Sequence, residues 1–153
     1  MYKIGITGSI GTGKTTLTKN FAIFKIPIFN ADKEIKKILS TEKVKKRIKK
    51  IWPQAKKKND IDRLILRKII FSNKNEKKKL ENLLYPYLKI ERSKFEEKNS
   101  NKKILVYDVP LIYETNSEKN YDLVLLVNCD PTVQKKKSIK EGQDIKFTLR
   151  KNH

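Results

Sequence analysis

The feature that most constrains the fold is a glycine-rich segment near the N-terminus. The chain has five glycines, and four of them fall within its first thirteen residues. The segment from Gly8 to Thr15 reads G-S-I-G-T-G-K-T and matches the phosphate-loop pattern G-x-x-x-x-G-K-[S/T] in full. In this pattern the glycines let backbone N–H groups wrap a phosphate, and the following helix points its positive dipole end at the same anion. The segment therefore predicts a site for a nucleotide phosphate.

Two side chains of this phosphate loop have predicted tasks of their own. Lys14 is expected to reach the β- and γ-phosphates of ATP and to act in catalysis, and the Thr15 hydroxyl is expected to ligate Mg²⁺. The alternative, a glycine-rich turn without a ligand, is disfavoured because the apolar run at 2–7 predicts a strand and the spacing over 17–24 predicts a helix. The predicted nucleotide-binding residues are Gly8, Gly11, Thr12, Gly13, Lys14, Thr15 and Thr16.

Length and composition limit the class of protein. With 153 residues, the chain is expected to form a single domain. Its one cysteine, Cys129, excludes an internal disulfide and predicts a reducing compartment. The first apolar run is too short for a signal peptide, and no run approaches the ~20 residues of a membrane span. We therefore expect a cytoplasmic protein without a membrane partner.

The net charge of +20 suggests a function from a different class, namely nucleic-acid binding. However, only five of the 37 basic residues are arginines, whereas proteins that read phosphates and bases favour the planar arginine fork. The lysines are spread along almost every predicted helix. We therefore interpret the charge as a composition bias that also attracts anionic substrates, and we expect no nucleic-acid partner.

Strands alternate with helices along the chain. The sequence predicts strands at 2–7, 27–29, 104–107 and 123–127, and helices at 14–24, 32–39, 41–52, 132–140 and from 144 onward. Because the last two strands are continuously apolar, we expect them to be buried on both faces of a parallel sheet. The predicted fold class is a three-layer α/β/α nucleotide-binding fold. Its core is expected at 1–31 and 102–130, with a helical insertion at about 32–101 and a lid region at about 131–153.

The predicted insertion contains two further helices with apolar stripes. The first begins at a cap, either Asp60 or Asp62, and ends at Phe71; its expected apolar face consists of Ile61, Leu64, Ile65, Ile69 and Ile70. The second is predicted to kink at Pro86. Its stripe is expected to be core rather than a ligand site and consists of Leu80, Leu83, Leu84, Tyr87 and Leu88.

Six ordered segments together resemble the dephospho-CoA kinases. They are I-G-I-T-G-S-I-G-T-G-K-T-T at 4–16, N-A-D at 30–32, I-D-R-L-I-L-R-K-I-I-F at 61–71, L-E-N-L-L-Y-P-Y-L at 80–88, D-V-P-L-I-Y-E at 108–114, and Gln134. The resemblance covers essentially the whole chain. It implies transfer of the γ-phosphoryl group of ATP to the 3′-hydroxyl of the dephospho-CoA ribose, with Mg²⁺ as the metal. The alternatives are another small-molecule kinase with the same phosphate loop, or an inactive relic of this enzyme.

The resemblance also assigns roles to residues beyond the phosphate loop. Asp32 is expected to orient or deprotonate the acceptor hydroxyl, and its alternative role is to cap the helix at 33–39. Asp108 is expected to hold Mg²⁺ through a water and to lie at the substrate site, and its alternative is a solvated strand end. Arg63 is expected to contact an anionic group of the acceptor, unless it forms a surface salt bridge with Asp62 or a neighbour.

The sequence departs from the family pattern at three places. Tyr85, a predicted substrate-binding residue, stands where the family has histidine before proline. In the lid region, Lys137, Lys140 and Arg150 are the expected cations where the family carries arginines, and Glu141 lies at or near an arginine position. Family members also continue through a further helix and a fifth strand. The resemblance therefore implies a monomer with weakened ATP binding that can self-associate through the edge of the strand at 123–127.

Overall fold

The computed structural model describes residues 1–9, 11–58 and 60–134. The chain divides into two compact units: the first joins Met1–Ala31 with the chain from Phe95 onward, and the second is Asp32–Lys94. The strands are β1 (Tyr2–Thr7), β2 (Ile28–Asn30), β3 (Lys56–Lys57), β4 (Asp60–Ile61), β5 (Ile104–Asp108) and β6 (Leu123–Leu126). The helices are α1 (Lys14–Ile23), α2 (Ala31–Ser40), α3 (Glu42–Ile51), α4 (Arg63–Ser72) and α5 (Lys74–Lys98), with short 3₁₀ turns at Pro53–Ala55 and Glu118–Asn120.

The first unit is built on a parallel sheet in the order β2-β5-β1-β6. The register of β1 sets Ile4 beside Val106 of β5 and Ile6 beside Asp108, while on its other side Gly5 is paired with Val124 of β6. Parallel neighbours require crossover connections. The connection from β2 to β5 contains α2 to α5, whereas the one from β5 to β6 consists of turns and the 3₁₀ turn at Glu118–Asn120. The parallel sheet and the α/β class that we predicted from the alternation of strands and helices are confirmed.

The two central strands carry the core of this unit. Ile6, Leu105, Val106 and Tyr107 are fully buried, as expected for strands covered on both faces. One cluster joins Ile4, Ile6 and Val106 with residues that include Leu17 and Phe21 of α1. In another, the Tyr107 ring lies within 5.9 Å of the ring centroids of Phe29, Phe95 and Tyr121.

Strand β6 departs from the prediction of burial on both faces. Leu123 and Leu126 are 43% and 64% exposed. The reason is the position of the strand: within the described part of the chain, β6 lies at the edge of the sheet and pairs only with β1. A continuous apolar run does not distinguish a central strand from an edge strand, because the order of the strands is a property of the topology.

The second unit has a separate, helical core. Its buried residues come from α2, α3, α4, α5 and the segment between α3 and α4: Ile38, Val44, Ile48, Trp52, Ala55, Ile61, Leu66, Leu83 and Leu84. The indole Nε1 of Trp52 donates to Glu76 Oε2 over 2.6 Å, so the buried ring has a partner for its polar atom. The stripe predicted on α5 is core, since Leu80, Tyr87 and Leu88 pack around the buried Leu83 and Leu84.

The apolar face that we predicted for α4 is confirmed at Ile61, Ile69 and Ile70, which belong to or pack against the core of this unit, and was wrong at Leu64 and Ile65. Leu64 is 72% exposed and Ile65 is 38% exposed, whereas Leu66 is buried. Asp62 caps the helix, because its carboxylate accepts from the backbone N–H groups of Leu64 and Ile65, and Ile61 belongs to the preceding strand β4. Each strand of the antiparallel pair β3–β4 has only two residues, which is too short for an alternating pattern to be seen in the sequence.

Pro86 lies inside α5, the longest of the described helices. None of the described helices is long and apolar enough to cross a membrane. The helix predicted at 132–140 lies mostly outside the described residues, as does the one from 144 onward, although 131–134 are helical.

Candidate active site

The phosphate loop turns from β1 into α1 through three glycines with positive φ. The φ angles are 144° at Gly8, 78° at Gly11 and 102° at Gly13, and Gly13 is the residue before the first turn of α1. Side chains rarely adopt these angles. At Gly8 there is also no room, because a Cβ would lie 2.3 Å from the carbonyl oxygen of Val127. Backbone geometry therefore requires glycine here whether or not a ligand is bound.

Two polar side chains, those of Thr12 and Lys14, donate hydrogen bonds to backbone carbonyls of the phosphate loop. The Lys14 ammonium donates to the carbonyl oxygens of Gly8 and Ser9, the latter over 3.0 Å. The buried Thr12 hydroxyl donates to the same Ser9 oxygen over 2.8 Å. The Thr12 hydrogen bond therefore stabilises the loop. The Lys14 ammonium lies against the backbone of the same loop, where a phosphate would bind.

Thr15 and Thr16 lie in the first turn of α1 and are exposed. The backbone N–H of Thr16 donates to the carbonyl of Gly13 over 3.0 Å. The first N–H groups of a helix carry its positive dipole end, so an anion at this position is favoured. The exposed Thr15 hydroxyl lies in the same turn and can act as an oxygen ligand.

Asp108 lies beside the strand that leads into the loop. It is the last residue of β5 and is paired in register with Ile6 of β1. The Asn30 Nδ2 donates to Asp108 Oδ2 over 2.6 Å. Since the carboxylate is half-buried and bonded, a merely solvated strand end does not describe it.

The turn after β5 is tied back to the end of β1. The backbone N–H of Val109 donates to the carbonyl oxygen of Ile6 over 3.0 Å. The buried Thr7 hydroxyl donates to the carbonyl oxygen of Pro110 over 3.1 Å. On the other side of β1, the N–H of Val127 donates to the Thr7 carbonyl over 2.8 Å. The carboxyl ends of three strands are therefore fixed together, which is where ligands bind in open parallel sheets.

The available donors can be compared with what Mg²⁺ requires. Mg²⁺ takes oxygen ligands and is usually held by one or two carboxylates together with substrate phosphates and waters. Among the described residues, no group of three or more His, Cys, Asp or Glu side chains could hold a metal on its own. The Asp108 carboxylate and the Thr15 hydroxyl supply hard oxygen ligands from the strand end and the loop. This set fits a metal that arrives with a nucleotide.

Three residues near the loop were not singled out as site residues from the sequence. Asn30 contacts Asp108, Thr7 ties two strand ends together, and the Cys129 thiol lies 3.7 Å from the Gly11 carbonyl oxygen. For Asn30 the signal was present, because it begins the N-A-D segment at the end of the second strand. Thr7 and Cys129 carry no such signal, since their contacts depend on residues more than a hundred positions away.

The residues that follow β6 begin a helical turn. The Thr132 hydroxyl and backbone N–H donate to the Asp130 carboxylate, and these bonds hold the pKa of Asp130 below its ordinary value of 3.8. Gln134 is buried, and its backbone N–H donates to the Asp130 carbonyl over 2.9 Å. The predicted lid residues Lys137, Lys140 and Arg150 lie outside the described residues, as does Glu141.

The other predicted site residues are exposed on helices. Asp32 is in the first turn of α2, which starts at Ala31, so Asp32 lies inside the helix rather than at its cap. Arg63 is the first residue of α4 and is exposed, and Tyr85 on α5 is 66% exposed. Arg63 forms no salt bridge with Asp62, whose Oδ1 accepts from two backbone N–H groups over 3.0 Å each. The charge of Arg63 does act on the neighbouring Asp60, whose pKa is lowered by the backbone N–H of Ile61, by Lys45 and, less strongly, by Arg63.

Comparison with known families gives one match over nearly the whole chain. The family described as dephospho-CoA kinase matches residues 2–147. A dephospho-CoA kinase of Rhodopseudomonas palustris is 34% identical over 139 residues, which are 90% of this chain and 69% of the relative. One from Gamma-proteobacterium EBAC31A08 is 39% identical over 134 residues, which are 86% of this chain and 68% of the relative.

Solved structures support the fold. TT1252 from Thermus thermophilus superposes with a TM-score of 0.84 at 24% identity, covering 97% of this chain and 77% of the other. A dephospho-CoA kinase from Campylobacter jejuni superposes with a TM-score of 0.59 at 22% identity, covering 94% and 96%. At these identities the likeness concerns the fold alone.

Proposed function

The chain belongs to the dephospho-CoA kinase family, and from this premise we propose that it transfers the γ-phosphoryl group of ATP to the 3′-hydroxyl of dephospho-CoA. The observation that carries the proposal is the phosphate loop, whose three positive-φ glycines and folded-over Lys14 follow the first strand of a parallel sheet. In phosphoryl transfer, positioning and charge neutralisation supply most of the catalysis. The roles of the residues follow from that requirement.

On the donor side, the phosphate loop holds the phosphates of ATP. Backbone N–H groups of the loop and of the first turn of α1 donate to phosphate oxygens. The Lys14 ammonium leaves the carbonyl oxygens of Gly8 and Ser9 and binds the β- and γ-phosphates, where it neutralises charge that grows in the transition state.

The residues that would hold Mg²⁺ are Thr15, through its hydroxyl, and Asp108, through a water. A metal held there would neutralise charge that develops on the phosphates. Asp108 is suited to this task because the sheet fixes its backbone beside the end of β1, and a hydrogen bond from Asn30 holds its side chain.

On the acceptor side, Asp32 is the proposed base. It follows β2 after a single intervening residue, Ala31, and its exposed carboxylate can accept the proton of an attacking hydroxyl. Arg63 and Tyr85 are the proposed contacts to the acceptor. Arg63 offers a planar fork of donors suited to a phosphate, and Tyr85 offers an exposed ring and hydroxyl.

The proposed lid consists of Lys137, Lys140 and Arg150. Lysine neutralises charge but does not form the bidentate clamp of arginine. If arginine is the better lid residue, then Lys137→Arg or Glu141→Arg raises kcat. No gain at either position would contradict a phosphate-clamping role for these positions.

The test of the proposed function is a coupled assay of ADP release by the full chain with Mg²⁺ and ATP. We expect turnover that depends on dephospho-CoA and yields a product phosphorylated at the 3′ position, identified by mass spectrometry. ADP release that is equal with and without dephospho-CoA would contradict the proposed acceptor. Turnover with another nucleoside or alcohol in place of dephospho-CoA would indicate a different small-molecule kinase.

A further inference from the structure

Asn30 and Asp108 occupy matching positions at the carboxyl ends of two neighbouring strands. Asn30 is the last residue of β2, Asp108 is the last residue of β5, and the two are paired in register. Both residues are half-buried, and the distance from Asn30 Nδ2 to Asp108 Oδ2 is 2.6 Å. The backbone of both partners is therefore fixed by the sheet, and the side chains bridge the two strand ends.

In this hydrogen bond Asn30 is the donor and Asp108 is the acceptor. An amide N–H only donates and an ionised carboxylate only accepts, so the bond commits the Oδ2 atom of Asp108 to Asn30. Hydrogen bonds to ionised acceptors are shorter and stronger than neutral ones, and this bond, at 2.6 Å, is slightly shorter than the about 2.7 Å at which the usual range for a nitrogen donor begins. The bond therefore orients the carboxylate through its Oδ2 atom.

Residues of similar size at position 30 would not orient Asp108 in the same way. Aspartate has the shape of asparagine, but it would set two carboxylate oxygens against each other at the distance of the present bond. Leucine is also of similar size, but it has no donor. Serine has a donor on a side chain too short to span the contact. The amide is therefore the part of Asn30 that matters for Asp108.

We infer that Asn30 is a positioning residue for phosphoryl transfer: it holds the Asp108 carboxylate in the orientation that receives a water of the Mg²⁺ bound to ATP. The inference rests on the proposed function, because it presupposes the role of Asp108. Partners that orient metal ligands in this way typically change metal affinity or activity by about 10- to 100-fold when they are removed. We expect an effect of that size for Asn30.

The competing explanation is structural. Asn30 is the residue before α2, and the strand pair β2–β5 is only three residues long, so the side-chain bond could simply tie the strand ends together. In that case its loss lowers the melting temperature and leaves the metal dependence of the reaction unchanged. The two explanations therefore differ in the Mg²⁺ requirement and in metal affinity, not in stability.

The experiment uses the full chain with Asn30→Leu as the test variant and Asn99→Leu as the matched control. Asn99 lies in the same unit, and its amide also donates over a short distance, 2.7 Å, but to the backbone carbonyl of Phe95. Binding of Mn²⁺ to the protein with ADP is measured by electron paramagnetic resonance, and the Mg²⁺ concentration for half-maximal rate is measured by turnover. Circular dichroism checks that each variant is folded.

We expect Asn30→Leu to weaken Mn²⁺ binding and to raise the Mg²⁺ requirement by about 10- to 100-fold, and Asn99→Leu to change neither. Asn30→Ser provides a less disruptive second variant, for which we expect the same direction of change. In the background of Asp108→Asn, adding Asn30→Leu should cause no further loss, because both substitutions then act on one ligand.

Failure of the inference and failure of the proposed function give different results. If Asp108→Asn weakens Mn²⁺ binding while both Asn30 variants stay within about twofold of the wild type, the inference is overturned and the role of Asp108 stands. If Asp108→Asn itself leaves Mn²⁺ binding unchanged, the metal role of Asp108 is overturned and the inference with it.

Discussion

In the first unit the candidate functional groups lie at the ends of hydrogen-bonded strands, whereas in the second they lie on exposed surfaces of helices. Lys14 and Asp108 are held by contacts to loop carbonyls and to the side chain of Asn30. Arg63 and Tyr85 project from α4 and α5, and their side chains are exposed. The candidate groups of the first unit are therefore held by contacts within the fold, while those of the second are exposed to solvent.

The two units also differ in what holds them together. In the first, neighbouring strands fix backbone positions by hydrogen bonds, and the polar groups at the site are part of that network. In the second, an apolar core around Trp52 and Ile48 holds the helices, and the polar residues mostly face outward. This difference predicts that substitutions in the first unit act mainly on catalysis, whereas those in the second act on acceptor binding or on stability.

The largest expected effect is at the phosphate loop. Lys14→Ala should lower kcat/KM by at least about 1000-fold, because the lysine neutralises charge in the transition state, while circular dichroism remains that of the wild type. Lys19→Ala is the control, since Lys19 is an exposed lysine on the same helix. Retention of more than about a tenth of the wild-type kcat/KM would contradict the role of Lys14.

The next effect in size concerns the proposed base. Asp32→Asn should lower kcat by about 100-fold or more with little change in ATP affinity, because the carboxylate acts on the acceptor hydroxyl. Glu34→Gln is the control, since Glu34 lies in the same helical turn and pairs with Lys37 at 2.7 Å. Steady-state kinetics measure kcat, and an ATP titration measures ATP affinity. If ATP affinity is lost instead of kcat, Asp32 belongs to the metal site.

A smaller and more selective effect is expected at the acceptor contact. Arg63→Lys keeps the charge but loses the planar fork, so KM for dephospho-CoA should rise about tenfold while KM for ATP stays unchanged. Arg67→Lys is the control, because Arg67 is on the same helix and lies over the Phe71 ring at 5.4 Å. Equal effects of the two substitutions, or a change in KM for ATP, would show that Arg63 is not a specific acceptor contact.

The smallest effect concerns stability of the second unit. The Lys79 ammonium and the Trp52 indole N–H hold the pKa of Glu76 below its ordinary value of 4.5, so the ionised form stabilises the fold above that value, and this contribution is lost as the pH falls through the lowered pKa. Glu76→Gln should lower the melting temperature by about 2 to 4 °C at neutral pH. The difference from the wild type should shrink as the pH falls below 4.5.

Fluorescence reports this transition directly, because Trp52 is the only tryptophan in the chain. The control is Glu81→Gln on the same helix, whose carboxylate lies 3.7 Å from the Lys77 ammonium at the surface. A melting temperature that falls equally in both variants, or a difference that persists at low pH, would exclude the contact between Glu76 and Trp52 as the cause.

Much of the first unit could be predicted from the sequence. The glycines from Gly8 to Gly13 require special backbone angles, so their spacing encodes the loop, and the short apolar runs gave the strands to within about a residue. The metal and acceptor roles of Asp108 and Arg63 came from a resemblance, and they stay predictions. The sequence did not predict the exposure of Leu64 and Ile65, because apolar residues lie on more than one face of α4 and only the tertiary contacts decide that Leu66 packs inward.

The sequence by itself determined the local conformations: a phosphate loop where glycine is required, a capped helix after Asp62, and apolar runs that must be covered. Only the tertiary structure decided that Leu123 and Leu126 of β6 are exposed, that Glu76 accepts from the Trp52 indole N–H, and that Asn30 contacts Asp108 from 78 positions away. The physical reason is the distance along the sequence between the residues that interact. Backbone angles and capping depend on neighbours within a few residues, whereas strand order and side-chain contacts depend on which distant segments pack together.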